Sequence, residues 1–160
     1  MTNKQLNFQD PLRDSKPKKL RFNRKFVPLA REDDEEFFPN GIFEFNITKL
    51  TAFICQNPEI FPVEQISVKS YARWSSQHLS EQTVVSADVS KPIILGEISP
   101  GRFNVIDGNH RLERARRDGL EKIPAYRVMV EHHIAFLTSE KAYQAYIQYW
   151  NEKVRDLEDE

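Results

Sequence analysis

The chain has 160 residues, of which 39% are hydrophobic, and a formal net charge of −1. This length suits one domain with a hydrophobic core and argues against two full domains. The near-neutral charge excludes a protein-wide positive field for nucleic acid. The single cysteine, Cys55, excludes an intramolecular disulfide and a cysteine-rich zinc site. No apolar run approaches the roughly 20 residues of a membrane span, so we expect a cytoplasmic protein without membrane contact.

The N-terminal part is expected to form a mobile or extended arm over residues 1–36, followed by one ordered domain over residues 37–160. Large apolar residues are few in this arm, and no hydrophobic period is sustained. A basic run, KPKKLRFNRK at 16–25, precedes an acidic run, EDDEE at 32–36. Two interpretations of the basic run stay open. It contacts nucleic acid, or it is a solvated tail that the acidic run partly neutralises.

Between residues 41 and 101 the apolar residues alternate between strand and helix periods. Pro58 is expected to end a helix, and Pro100-Gly101 to form a hairpin turn. The polar, irregular residues from Ser75 to Asp88 predict a flexible loop or lid. The predicted elements are a strand at 42–47, a helix at 50–57, a strand at 61–68 and a buried strand at 92–98.

The stretch from Arg102 onward predicts a strand, a tight turn, a helix and a second strand. Residues 102–107 are rich in β-formers and end at the turn signal Asp107-Gly108. Apolar residues then recur on one side of a helix, which Gly119 ends as a left-handed C-cap. Strand character resumes at 123–130.

The last predicted element is an amphipathic helix at 138–157, with Thr138 or Ser139 as its N-cap. Its apolar and aromatic stripe indicates docking on the parent sheet, with a partner surface as the alternative. Together the elements predict an α+β fold. It consists of a small mixed β-sheet with flanking helices and a long C-terminal helix.

The turn after Asp107 is the candidate functional site. Asn109, His110 and Arg111 lie where a strand passes into a helix, and unbonded backbone N–H groups and the positive end of the helix dipole make such a place an anion site. Arg114 and Arg117 follow at helical spacing. We therefore expect this turn to bind the phosphates of a nucleotide.

The residues of the turn have both functional and structural interpretations. The guanidinium of Arg111 matches a phosphate in two-pronged geometry, and His110 either contacts phosphate or hydrogen-bonds a neighbouring strand. Asp107 orients His110, accepts a proton or holds Mg²⁺. Alternatively it is a turn-former that bonds its own backbone. Asn109 is also a residue type that tolerates left-handed backbone.

Two further residues are candidates outside the turn. Arg73, beside Trp74, is a second phosphate clamp if the predicted loop closes over the site. Glu64, on the predicted strand at 61–68, is a candidate general base for a substrate hydroxyl. His78, His132 and His133 lack a metal-ligand spacing, so no protein-held metal site is expected.

The motif Asp107-Gly108-Asn109-His110-Arg111 resembles the turn of the ParB/sulfiredoxin-like superfamily, and the resemblance covers roughly residues 61–130. In that superfamily the turn reads G-E-R-R in ParB proteins and binds the triphosphate of CTP. It reads G-C-H-R in sulfiredoxin, where it holds the phosphates of ATP, and D-G-H-H-R in archaeal free serine kinases. The version in this chain is nearest to the last two.

The resemblance implies that Gly108 lets the backbone approach phosphate and that His110 and Arg111 contact phosphate oxygens. Asn109 stands at the position of the reactive cysteine of sulfiredoxin, so sulfiredoxin activity is rejected. Glu113 stands where ParB proteins have a further arginine, which argues against a CTP-switch clamp. No helix-turn-helix is expected after residue 130, so a complete partition protein is also rejected.

The leading expectation is therefore a nucleotide-phosphate-binding protein with ATP, ADP or CTP and Mg²⁺ as cofactors. Small-molecule phosphotransfer or NTP hydrolysis stays open, with Asp107 and Glu64 as the catalytic candidates. Gly108, Asn109, His110, Arg111, Arg114 and Arg73 are the candidates for phosphate binding. The alternative is a non-catalytic DNA-binding, partition or regulatory module that uses the same basic cluster, with nucleic acid as a less favoured partner.

Overall fold

The computed structural model describes residues 16–40, 43–72 and 79–159. Within these ranges the strands are β1 (Phe37–Asn40), β2 (Phe43–Asn46), β3 (Glu64–Ser67), β4 (Ile93–Ser99), β5 (Arg102–Asp107) and β6 (Lys122–Val128). The helices are α1 (Ile47–Gln56), α2 (Val68–Ala72), α3 (Glu81–Ser86), α4 (Asn109–Arg117), α5 (Val130–His133) and α6 (Glu140–Glu158), with a 3-10 helix at Ile134–Phe136. None of these helices is long and apolar enough to cross a membrane.

The strands form two sheets. β1 and β2 pair in antiparallel orientation. The larger sheet has the order β3-β6-β4-β5, in which β6 is antiparallel to β3 and parallel to β4. All seven residues of the interior strand β4 are buried. The predicted α+β fold, with a small mixed sheet, flanking helices and a long C-terminal helix, is confirmed.

The described residues divide into two compact units. The first contains the chain up to Ala52, Glu97–Phe103 and the chain from Met129 onward, and the second contains Phe53–Gly96 and Asn104–Val128. The arm, β1, β2 and α6 belong to the first unit. The predicted turn, with α2, α3 and α4, belongs to the second.

In the second unit, α4 has a buried apolar face and a well-defined end. Leu112 and Ala115 are fully buried. Beyond the C-cap, Gly119 has φ 71° and donates its N–H to Arg116 O (3.2 Å), while Leu120 donates to Ala115 O (3.0 Å). This is a Schellman motif. The predicted left-handed glycine at the end of this helix is therefore confirmed.

In the first unit, the arm is extended and contacts α6. The described part of the arm forms no helix or strand before β1 and contains turns at residues 24–25 and 33–34. Side chains of α6 bond its main chain, and one aromatic ring of the arm stacks on α6. The contacts are Leu20 N–H to Asn151 Oδ1 (2.7 Å), Asn151 Nδ2 to Leu20 O (3.1 Å), Trp150 Nε1 to Lys18 O (2.9 Å), Asn23 N–H to Tyr143 OH (3.0 Å) and Phe26 on Tyr143 (3.9 Å between ring centroids).

The first unit also encloses a group of buried polar residues. Glu97 is fully buried, and its carboxylate accepts the N–H groups of Gly101 (3.0 Å) and Val130 (3.2 Å). The carbonyl of Glu97 accepts the hydroxyl of Tyr146 (3.0 Å) and lies 2.6 Å from His133 Nε2. Burial lowers the pKa of His133 to about 4. The ring is therefore neutral at neutral pH, as an internal structural residue requires.

Several elements differ from the prediction. The prediction of an irregular loop or lid at 75–88 is wrong over residues 81–86, which form α3. Residues 75–78 of that prediction lie outside the described part of the chain. Ser80 is its N-cap and accepts the N–H of Thr83 (3.4 Å), and Val84 is fully buried. With one buried residue, so short a helix shows almost no hydrophobic period. The pattern also did not predict β1, which contains Pro39, or the short helices α2 and α5.

Candidate functional site

The turn between β5 and α4 requires glycine. Gly108 is the N-cap of α4 with φ 104°, a left-handed conformation. A Cβ at this position would overlap Ile93 Cγ2 and lie 2.7 Å from Ile93 Cβ. Ile93 is fully buried on β4, so it cannot move aside easily. Both the backbone angle and the close approach therefore exclude other residues.

The start of α4 leaves backbone donors without an intrahelical partner. The first helical bond runs from Leu112 N–H to Gly108 O (2.9 Å), and within the described residues no side chain caps the helix. The N–H groups of Asn109, His110 and Arg111 come before that bond and have no intrahelical acceptor, as is general for the first turn of a helix. These donors and the helix dipole favour an anion at this position.

Arg111 is held by its own turn. One guanidinium nitrogen donates to Asp107 Oδ2 (2.9 Å), and the other donates to Pro92 O (2.7 Å) and Lys91 O (3.4 Å). Its side chain is 19% exposed. These bonds use at most three of the five N–H donors. The sequence suggested a guanidinium available to phosphate, whereas the structure gives it a structural role and leaves only part of its donor set for a ligand.

His110 makes one hydrogen bond in the described part of the chain. Its Nε2 accepts the N–H of Ser80, at 3.3 Å, immediately before α3. A ring nitrogen that accepts a hydrogen bond carries no proton, so this contact requires the neutral ring with hydrogen on Nδ1. Of the two interpretations of His110, the structure shows a contact with neighbouring main chain, made by the segment before α3 and not by a strand.

The arginines further along α4 are engaged with carboxylates. Arg114 Nε donates to Asp118 (2.9 Å) and its Nη1 to Val85 O, and Arg117 forms an ion pair with Glu81 (2.9 Å between Nη2 and Oε2). Arg116 and Arg117 both donate to Glu113, at 2.9 and 3.1 Å from their Nε atoms. Hydrogen bonding from Arg116, and then from Arg117, lowers the pKa of Glu113 to about 2, against the opposing effect of burial.

The two catalytic candidates lie on different strands. Glu64 begins β3, where its carboxylate accepts Arg127 Nε (2.7 Å), and Asp107 ends β5. These strands are the two edges of a four-stranded sheet. Three interstrand spacings separate them, roughly 14 Å. The two carboxylates are therefore too far apart to act on one proton or one metal ion.

The remaining predictions concern Arg73 and metal binding. Arg73 and Trp74 lie outside the described residues. Within the described ranges no group of three or more histidine, cysteine, aspartate or glutamate residues is arranged to hold a metal ion. Mg²⁺ is commonly held by one or two carboxylates together with substrate phosphates, and Asp107 at the turn fits that limited role.

A comparison with protein-family models matches residues 55–148 to the ParB N-terminal domain. The match covers more than half of the chain. The chain belongs to this family. The matched segment includes β3, β4, β5 and β6 with the turn at Gly108. The ParB-like resemblance expected from the sequence is therefore confirmed at the level of the family. No curated protein and no solved structure matches the chain.

Proposed function

We propose that this ParB-like protein binds the phosphates of a nucleotide at the β5–α4 turn. The observation that carries the proposal is the left-handed Gly108 before a helix start without a side-chain cap. This arrangement brings backbone N–H groups and the positive helix end together at one place. The family resemblance supports it, because superfamily members bind CTP or ATP phosphates at the corresponding turn.

In this proposal Arg111 and Asp107 act as a pair. The ion pair between them holds the guanidinium beside the helix start while Asp107 offsets part of its charge. Backbone N–H groups would therefore contribute most of the hydrogen bonds to a phosphate. Arg111 would add only those guanidinium N–H groups that are not already bonded within the protein. Asp107 is the residue that would hold Mg²⁺, and the bound ion would neutralise phosphate charge.

The described residues favour nucleotide binding over catalysis. A general base needs to reach the hydroxyl that attacks the phosphate, and Glu64 is ion-paired with Arg127 on the opposite edge of the sheet. Phosphotransfer by Asp107 and Glu64 together would require both pairs to rearrange. We therefore propose nucleotide binding as the function of the turn. A direct assay of ATP or CTP hydrolysis tests catalysis separately.

The alternative function, in which the α4 arginines contact DNA phosphates, has less support. Arg114, Arg116 and Arg117 each form an ion pair with a carboxylate. A DNA phosphate would have to displace those carboxylates, and the displaced negative charges would then repel the DNA.

Calorimetric titration of the full chain with ATP, ADP and CTP, each with Mg²⁺, tests the proposal. Arg111→Ala is a poor variant, because it also leaves Asp107 without its partner and is expected to lower stability. Asn109→Asp is better. It adds a carboxylate at the first position of α4, which stabilises a helix by about 0.3–1 kcal/mol but repels phosphate. We expect at least tenfold weaker binding of the preferred nucleotide with an unchanged or higher thermal midpoint.

Gln144→Glu is the matched control, since it makes the same charge change at an exposed position of α6. It should bind nucleotide as the parent does. The proposal is wrong if the parent binds none of the three nucleotides, or if Asn109→Asp and Gln144→Glu bind the preferred nucleotide equally well.

A further inference from the structure

The basic run of the arm carries charge that the protein itself does not use. Residues 16–25 contain six lysines and arginines and no acidic residue. All six side chains are exposed, and none of them forms an ion pair or hydrogen bond with any other part of the chain that the structure describes. The six are Lys16, Lys18, Lys19, Arg21, Arg24 and Lys25. We call this segment the basic strip.

Within the described residues, the acidic run at 32–36 forms no ion pair with the basic strip. Glu32 and Glu35 both pair with Lys49 of α1, at 3.4 and 2.7 Å, and the Glu35 side chain is only 4% exposed. Hydrogen bonding from Lys49 lowers the pKa of Glu35, so this carboxylate is charged and engaged at neutral pH. Asp33, Asp34 and Glu36 are exposed and form no ion pair with the strip in the described structure, so no direct contact supports the interpretation of the basic run as a tail neutralised by the acidic run.

The main chain of the basic strip is fixed on α6. Bonds to Lys18 O, to both main-chain groups of Leu20 and to Asn23 N–H hold it there. These bonds use backbone atoms of the strip, so its charged side chains are not needed for its position. A segment already ordered before binding loses less entropy when a partner arrives. The strip thus presents six cations along at most roughly 36 Å of chain.

We propose that the basic strip binds the phosphate backbone of nucleic acid without reading its sequence. Duplex DNA carries one negative charge per roughly 1.7 Å of its axis, and phosphate contacts from lysine and arginine supply most of non-specific affinity. An anionic membrane fits less well, because interfacial binding also needs a buried apolar face. The strip offers only Phe22, which is 43% exposed, since Leu20 is half-buried on α6. This proposal does not depend on nucleotide binding at Gly108.

Fluorescence anisotropy of the full chain with a labelled duplex of about 20 base pairs, at salt concentrations from about 50 to 200 mM, tests the proposal. The test variant combines Arg21→Gln, Arg24→Gln and Lys25→Gln. Each lost phosphate contact reduces the log–log salt slope by about 0.9. We expect a slope shallower by about 2.7 and at least tenfold weaker binding at about 50 mM salt.

The matched control combines Arg102→Gln, Lys122→Gln and Lys141→Gln, three exposed cations on other elements. It makes the same charge change and should bind DNA nearly as the parent does. Thermal unfolding should give the same midpoint for both triple variants, which separates lost binding from lost folding. The proposal is overturned by a parent that does not bind the duplex at about 50 mM salt. Equal weakening by the two triple variants also overturns it, as does preferential binding of the parent to phosphatidylserine vesicles.

Discussion

The arginines of α4 and the cations of the basic strip have the same sign of charge and opposite surroundings. On α4, Arg111, Arg114, Arg116 and Arg117 all contact a carboxylate at 2.9 Å or closer. On the strip, all six cations are exposed without an ion pair in the described part of the chain. The first group therefore stabilises the second unit, and the second group is available to a partner.

The difference follows from where acidic residues stand in the sequence. Asp107, at the end of β5, precedes Arg111 by four residues. Asp118, the C-cap of α4, follows Arg114 by four, and Glu113 on α4 precedes Arg116 and Arg117 by three and four. Side chains at these separations are neighbours on a helix. The basic strip is extended and contains no acidic residue. A dense run of positive charge thus indicates a binding surface only when its geometry places no carboxylate beside it.

The largest expected effect comes from removing the carboxylate shared by two α4 arginines. Glu113 is buried, with a side chain only 10% exposed, and accepts both Arg116 and Arg117. Glu113→Gln keeps the shape but removes the charge, and hydrogen bonds to charged groups contribute about 1.5–3 kcal/mol. Urea unfolding should show a stability loss of about 1–3 kcal/mol, and the thermal midpoint should fall by roughly 2–10 °C.

Arg24→Gln on the basic strip is the matched control for this change. It also removes one charge, but Arg24 has no partner in the described structure, so its stability should stay within about 0.5 kcal/mol of the parent. If the two variants lose equal stability, the contrast between paired and available cations is wrong.

The same carboxylate makes stability depend on pH. Hydrogen bonding from Arg116 lowers the pKa of Glu113 to about 2, below that of a glutamate in the unfolded chain. Its contribution is therefore complete above the unfolded pKa of about 4.3 and is lost as the pH falls towards 2. The stability difference between the parent and Glu113→Gln should be constant at neutral pH and clearly smaller at about pH 3. A difference that stays the same at both values would show that the charge of Glu113 does not stabilise the fold.

Local sequence signals predicted the centre of the fold, whereas the long-range contacts could not be predicted from them. The strand at 102–107, the turn at Gly108 and the end of α4 at Gly119 depend on residues adjacent in the chain. The bond from Arg111 to Pro92 O joins residues 19 apart, and that from Asn151 to Leu20 joins residues 131 apart. Neither contact is indicated by a hydrophobic period or by a residue spacing in the sequence. The sequence therefore indicated a place for anions but not that Arg111 was already engaged there.

The smallest expected effect concerns how the basic strip is held. The arm has few large apolar residues to bury, and Asn151 of α6 bonds both main-chain groups of Leu20, at 2.7 and 3.1 Å. Asn151→Ala removes both bonds, each contributing about 0.5–1.5 kcal/mol. The freed arm regains backbone entropy, which offsets much of that loss. We therefore expect a net destabilisation of about 1 kcal/mol or less, too small for a thermal midpoint to decide.

Trypsin cleavage is the sharper measurement for this change, because the enzyme cuts after lysine and arginine and local opening sets the cleavage rate. In Asn151→Ala, cleavage within residues 18–25 should be a few-fold faster than in the parent, while cleavage elsewhere is unchanged. Asn104→Ala is the control, since Asn104 is exposed on β5 and makes no side-chain hydrogen bond with the described residues. Equal cleavage of the two variants would mean that the two bonds from Asn151 do not hold the strip. Its order would then depend on the remaining bonds to Trp150 and Tyr143, and weaker ordering raises the entropy cost of binding a polyanion.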